Sequence, residues 1–180
     1  VTSIFRRWLL LTLFLGLGTR VQLNAVDWVS SGAEWKYFKG VTEASSPDTT
    51  AWRKLDFNDA AWSSGPATFW YGDVFPGTQI TDMQNAYLSL YFRREFTVLN
   101  PADIEALVLK ARCDDGFVAW INGVEVSRYN VSVVDPTYQT TASTTANPDP
   151  AEFQEFAIAN PKTVVKAGRN VLAVQVLNAN

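Results

Sequence analysis

At 180 residues, 47% of them hydrophobic and 18% charged, the chain has the make-up of one globular domain, which excludes a disordered or collagen-like polymer. The lack of histidine and a single cysteine, Cys113, exclude Ser-His-Asp and Cys-His catalysis within the chain, an intrachain disulfide framework and the commonest transition-metal ligand. A net charge of −3 provides no basic stripe to neutralise phosphates, so no nucleic-acid partner is expected.

The first predicted element is a leader. Arg6 and Arg7 precede the apolar run 8–18 (WLLLTLFLGLG), and small Ala25 follows, the layout of a secretory signal peptide over 1–25. The run is about half the roughly 20 residues a spanning helix needs, so no membrane span is expected once the leader is removed. Residues 26–180 are then expected as one secreted or cell-surface domain. Removing Arg6, Arg7 and Arg20 makes that domain more acidic still.

Short β-strand patterns follow, with no long helical period. The candidates are 34–38 (EWKYF), 52–57, 67–71 (ATFWY), 87–98 (YLSLYFRREFTV), 104–112 (IEALVLKAR), 117–121, 124–128, 153–159 and 170–177 (NVLAVQVL). Leu88, Leu90 and Phe92 alternate with Ser89, Tyr91 and Arg93, which predicts one core face per strand. Asn122-Gly123 predicts a type I′ hairpin turn between 117–121 and 124–128, because both residues tolerate positive φ. Residues 137–150 (TYQTTASTTANPDP) lack strand periodicity and read as a long loop. The series predicts an all-β fold, an antiparallel sandwich.

Strands that reverse direction place successive loops at alternate ends. Counted from 87–98, the connections 72–86, 113–116 and 129–152 share one end, and 99–103, Asn122-Gly123 and 160–169 share the other. The first set carries Asp73, Asp82, Asp114, Asp115, Asp135, Asp149, Tyr129 and Tyr138, with Trp70 and Tyr71 leading into it. Long loops on a rigid sandwich are the usual place for binding.

The series WKYFKG, LDFNDAAWSSGPATFWYGD, LYFRREFTV, DDGFVAWINGVEVSR and AGRNVLAVQVLN, spanning about residues 35–178, resembles the galactose-binding-like β-sandwich (jelly-roll) modules of large secreted bacterial proteins. It is similar to accessory domains of β-galactosidase-like glycoside hydrolases. The resemblance implies a jelly roll, saccharide binding at loops on one end and, in some members, a structural calcium. Such modules usually continue past the LAVQVLN strand through a Ser-Asp-rich turn to a closing strand, whereas this sequence stops at Asn180. The expectation is a fragment of a longer protein, or a sandwich lacking its last strand.

Each candidate residue has a structural reading beside the functional one. Asp114 and Asp115 could offer hard oxygens to Ca²⁺, or cap the turn before Gly116; DDG lacks the spaced pattern of a dedicated calcium loop. Trp52 is among the aromatics that could carry a sugar ring, whereas Trp62 and Trp120 read most readily as packing. Trp70 and Tyr71 are preferred as ligand residues, with Tyr129 and Tyr138, because adjacent strand residues point to opposite faces. One of Arg93 and Arg94 should face inward and need a carboxylate partner, and Cys113 reads as a buried filler. Asn130-Val131-Ser132 is a sequon that marks a surface loop.

The function expected is a non-catalytic accessory module whose partner is a polysaccharide or other glycan, or a neighbouring catalytic domain of the same polypeptide. The alternative is a spacer that binds no sugar. A free-standing hydrolase would need two carboxylates across a scissile bond, which nothing in the sequence places.

Overall fold

The computed structural model describes residues 26–72, 75–145 and 153–179; the predicted leader, Asp73 and Asp149 lie outside them. Among the described residues no helix is long and apolar enough to cross a membrane. The strands are β1 (Glu34–Lys39), β2 (Ser63–Pro66), β3 (Phe69–Trp70), β4 (Thr78–Gln79), β5 (Ser89–Val98), β6 (Val108–Ala111), β7 (Gly116–Ile121), β8 (Val124–Tyr129), β9 (Gln154–Ala157) and β10 (Gly168–Leu177), with one short helix, α1 (Pro161–Val164). The fold is the expected all-β antiparallel sandwich. Its main sheet has the order β2-β1-β5-β10-β7-β8, β6 pairs with β9, and β3 and β4 form a small parallel ladder.

β5 and β10 lie at the centre and pair along their whole length, from Gly168 opposite Val98 to Leu177 opposite Ser89. Central strands need cover on both faces, and their side chains divide accordingly. Phe96, Val98, Phe117, Ala119, Ile121 and Leu172 face the β6–β9 ladder and α1, meeting Leu109, Phe156 and Val164. Tyr91, Val118, Trp120, Ala173 and Leu177 face the other way, against Ala44, Trp52, Trp62, Val131 and Ala142. Among the described residues no strand covers that second face: irregular chain from 43–62 and 130–145 does.

That irregular layer corrects the strand expected over 52–57, where the chain instead makes a 3₁₀ turn, Ala51–Arg53. The reason is Arg93. Its guanidinium takes the carbonyls of Trp52, Lys54 (2.9 Å) and Phe57 (3.3 Å), which a β-ladder would otherwise have used. Other strands are shorter than expected. Only Phe69–Trp70 of 67–71 is strand, and 104–112 yields Val108–Ala111 after a 3₁₀ turn at Pro101–Asp103, which Asn100 caps by accepting the Ala102 N–H. β2 and β4, polar and without alternation, were not expected. They meet where Gly65 leaves room for Thr78, whose Oγ1 would lie 2.3 Å from any Cβ at residue 65.

The Asn122-Gly123 turn is as predicted: φ is 52° at Asn122 and 86° at Gly123, and Ile121 pairs with Val124. A bulge follows at Ala119/Trp120, where the register shifts. The loop parity also stands. Ser89, Leu177 and Gly116 lie side by side in the register, with Lys39 opposite Leu90 and Tyr129 opposite Phe117. The connections 72–86 and 113–116 and the one leaving Tyr129 therefore share one end.

Candidate functional site, the loop end of the sandwich

Backbone hydrogen bonds knit this end together before any side chain contributes. Gly40 N donates to Ser89 O (2.9 Å), Asn178 N to Leu88 O (2.8 Å), Ala142 N to Asn178 O (2.8 Å) and Ser143 N to Asn130 O (2.8 Å). Loops built this way are held by the sheet rather than by their own side chains, which suits a preformed surface.

Asp115 sits at the centre of this weave. It is buried, its N–H donates to Leu177 O, its carbonyl accepts from Asn130 Nδ2 (3.1 Å), and its Oδ2 accepts the Ala179 N–H at 2.6 Å. The carboxylate thus ties the segment after β10 to the loop before β7, a long-range form of the turn-capping reading. Asp114 is exposed beside it. Among the described residues no three acidic, cysteine or histidine side chains gather into a metal-holding group.

The aromatic candidates do not form one platform. Tyr71 is exposed, and its hydroxyl accepts Asn178 Nδ2 at 2.6 Å. Trp70 is half-buried, with its indole N–H enclosed and without a partner. The Tyr129 ring packs between the sheets, 6.2 Å from Phe117 and 5.9 Å from Phe156. Tyr138 lies against the opposite core, its carbonyl accepting from Ser89 Oγ (3.0 Å) and its N–H donating to Glu43 Oε1 (3.4 Å). Tyr129 and Tyr138 therefore serve opposite faces of the sheet. Trp62 and Trp120 are buried, as their packing reading expects, and Trp52, a candidate for a sugar ring, is buried with them in the same core.

Electrostatics at this end follow from burial and near neighbours. Lys39 Nζ (2.7 Å) and the Tyr87 hydroxyl (2.9 Å) hydrogen-bond Asp82 and hold its carboxyl below its ordinary value. Burial first, then Asp82, pushes the Tyr87 phenol up. Burial pushes the Cys113 thiol well above its usual range, and the charges of Asp114 and Asp115 push the same way. Cys113 is half-buried and its thiol is therefore expected to react more slowly with a thiol reagent in the native chain than in the unfolded one. The check is labelling in buffer against labelling in denaturant, and rapid modification of the native chain would contradict it.

Asn178, Glu43 and Ser89 belong to the same arrangement but carry no site signal in the sequence, and Asn130 carries only its sequon. Asn130 follows β8 at φ 52° and gives its Nδ2 to Asp115 O and Thr144 O. The amide that a sequon would offer for glycosylation is engaged in these two bonds, at a half-buried position. The other three are ordinary polar residues whose roles arise only from what the ladder sets beside them.

No protein-family model and no curated protein sequence matches the chain. By fold it is similar to a segment of several β-glucuronidases. One is a calcium-binding mutant of Bacteroides uniformis beta-glucuronidase 2, with a TM-score of 0.51 at 18% identity, covering 83% of this chain and 14% of that one. The enzyme from an uncultured Clostridium sp. gives 0.51 at 19% identity, covering 82% and 21%, and that of Lactobacillus rhamnosus 0.51 at 17%, covering 82% and 20%. The chain spans 14% to 21% of these proteins' length, and at such identity the likeness is one of fold.

Proposed function

We propose that the chain is a non-catalytic accessory module of the galactose-binding-like jelly-roll type, exported as part of a polysaccharide-processing protein, where it binds carbohydrate or seats a neighbouring catalytic domain. The observation that carries this reading is the fold match: the same sandwich recurs as a minor segment of proteins named as β-glucuronidases. The loop end supports it. There Tyr71 presents an exposed ring, steadied by Asn178, on a surface held by the sheet. An aromatic face beside amide groups suits a sugar, which has apolar ring faces and hydroxyl edges. The reading includes a structural calcium at Asp114 and Asp115 as an arm for the test to decide, with the Asp115 carboxylate also accepting the Ala179 N–H.

A second reading, an interaction spacer that binds no sugar, is favoured by one observation: the rings of Tyr129 and Tyr138 pack against the cores on either side of the sheet. A single experiment separates the two. The chain is screened against a polysaccharide panel by tryptophan fluorescence, with calcium and with chelator. The expected result is saturable binding that Tyr71→Ala weakens about tenfold, while Tyr71→Phe, which keeps the ring, weakens it less. A loss of affinity or of melting temperature with chelator would implicate calcium at the acidic end, and no change would leave Asp114 and Asp115 as turn residues. A folded chain that binds no glycan would remove the carbohydrate arm and leave the spacer.

A further inference from the structure

Asparagine is followed by glycine once in this sequence, at Asn122-Gly123; every other asparagine with a residue after it precedes alanine, aspartate, valine or proline. That pair is the one best suited to react with itself. The backbone nitrogen of the next residue can close a five-membered ring on the asparagine carboxamide, and glycine, with no Cβ, puts least in the way and turns most freely to meet it. Proline, which follows Asn100, Asn147 and Asn160, has no N–H to lose.

The step balances with water alone. The Gly123 amide nitrogen gives its proton to solvent base and bonds to Asn122 Cγ, the Cγ–Nδ2 bond breaks, and Nδ2 leaves as ammonia with a proton from solvent. Water then opens the succinimide ring at one carbonyl or the other, giving aspartate or isoaspartate. The net change is asparagine plus water to acid plus ammonia.

The fold withholds this reaction at a place where solvent is at hand. Gly123 is exposed at the tip of the hairpin, and Asn122 is half-buried behind it. The Asn122 carboxamide is fastened on both sides: Nδ2 donates to Val164 O (2.9 Å) and Asn170 Oδ1 (2.7 Å), and Oδ1 accepts the Val171 N–H (3.1 Å). All three partners lie in 164–171, so the group is anchored to β10 and the connection before it. Ring closure needs that carboxamide over its own backbone, and its nitrogen must give up both acceptors to leave.

We propose that Asn122 is a self-modification site gated by Asn170: opening of the junction between them commits Asn122 to aspartate or isoaspartate, and the product cannot close the junction again. A carboxylate at 122 has no hydrogen for Val164 O or Asn170 Oδ1, and it sets oxygen against oxygen where donors stood. Isoaspartate also adds a backbone carbon to a two-residue turn that holds Ile121 opposite Val124. The change runs one way, and it marks chains that have opened at the end of the sandwich away from Tyr71 and Asp115. It stands apart from the proposed carbohydrate role.

The test incubates the chain in mildly alkaline buffer, native and in urea, and follows Asn122 by peptide mass mapping. The native chain should convert about a hundredfold more slowly than the unfolded one, the combined weight of three hydrogen bonds in an opening equilibrium. Asn170→Ala, which removes one of the three, should convert about fivefold faster than the unaltered native chain. Arg93→Lys is the control: it lowers stability through bonds to Asp59 and the 52–57 stretch, and should not speed conversion. Equal rates in the native and unfolded chain overturn the gate, and so does equal acceleration by Asn170→Ala and Arg93→Lys, which would tie the reaction to global unfolding. Conversion of other asparagines in urea while Asn122 stays intact overturns the site. The converted chain, separated by ion exchange through its added negative charge, should melt below the unconverted one. An unchanged melting temperature would show that the junction recloses, and overturns the one-way step.

Discussion

Replacing Arg93 with methionine is expected to destabilise the chain by about 3–5 kcal/mol, the range seen when one partner of a buried ion pair is removed. The side chain leaves β5 beneath the irregular layer and is 1% exposed. Its Nε donates to Asp59 Oδ2 at 2.7 Å, and its remaining donors take carbonyls of the 52–57 stretch, 36 to 41 residues away in sequence. The Phe57 ring lies over it at 5.2 Å. Methionine would fill much of the space but leave three carbonyls and a carboxylate without their donor, and an unpaired buried group costs more than the pair contributed. Arg93→Lys should recover only part of the loss, since an ammonium cannot reproduce the planar fork. The measurement is the urea midpoint with the slope compared to wild type. A loss below about 1 kcal/mol would mean that the 43–62 layer is held by its aromatic residues rather than by Arg93.

Asn170→Ala should cost about 2–4 kcal/mol through a different mechanism: it leaves several donors and acceptors unpaired at once. Asn170 is fully buried in the late strand. Its Nδ2 donates to Lys166 O (2.8 Å) and Gly168 O (3.0 Å), and its Oδ1 accepts from Lys166 N (2.7 Å) and Asn122 Nδ2 (2.7 Å). Asn122 also donates to Val164 O (2.9 Å) and accepts from Val171 N (3.1 Å), so two asparagines fasten the hairpin turn to the 160–169 connection. Asn122→Ala adds strain at a positive φ, and the two changes should not sum, because the second removes bonds already broken by the first. Thermal unfolding of both single variants and the double one checks this. Full additivity would show that the two side chains act separately.

The two networks differ in how far the sequence announces them. Asn122 is announced by its neighbour Gly123 and the alternation on either side, a local signal that needs no knowledge of the fold. Asn170 in AGRNVLAV gives no such sign; three of its four bonds are to Lys166 and Gly168, within four residues, and only the bond from Asn122 exists because β10 lies beside β7. The Arg93/Arg94 pair is intermediate. Adjacent strand residues face opposite ways, so one arginine had to face inward and find an acid. That the acid is Asp59, and that the same guanidinium prevents 52–57 from becoming a strand, is visible only after folding.

At the loop end the same division holds. Loop parity follows from strand count alone, because each antiparallel strand must reverse direction, and it places Tyr71, Asp115, Tyr129 and Tyr138 at one end. Which side of the sheet each ring serves is a matter of register. Tyr129 pairs with Phe117 and turns toward the β6–β9 ladder, while Tyr138 is drawn to the other core through Ser89 and Glu43.

By itself the sequence determined β1, β5, β7, β8 and β10 and the hairpin turn between β7 and β8, because period-two alternation and left-handed backbone preference act over a few neighbouring residues. Tertiary structure decided which carbonyls Arg93 takes, that one face of the sheet is closed by irregular chain, which aromatic ring stays exposed and what Asp115 holds. Those outcomes depend on partners 34 to 107 residues apart, and no local propensity encodes a pairing at that distance.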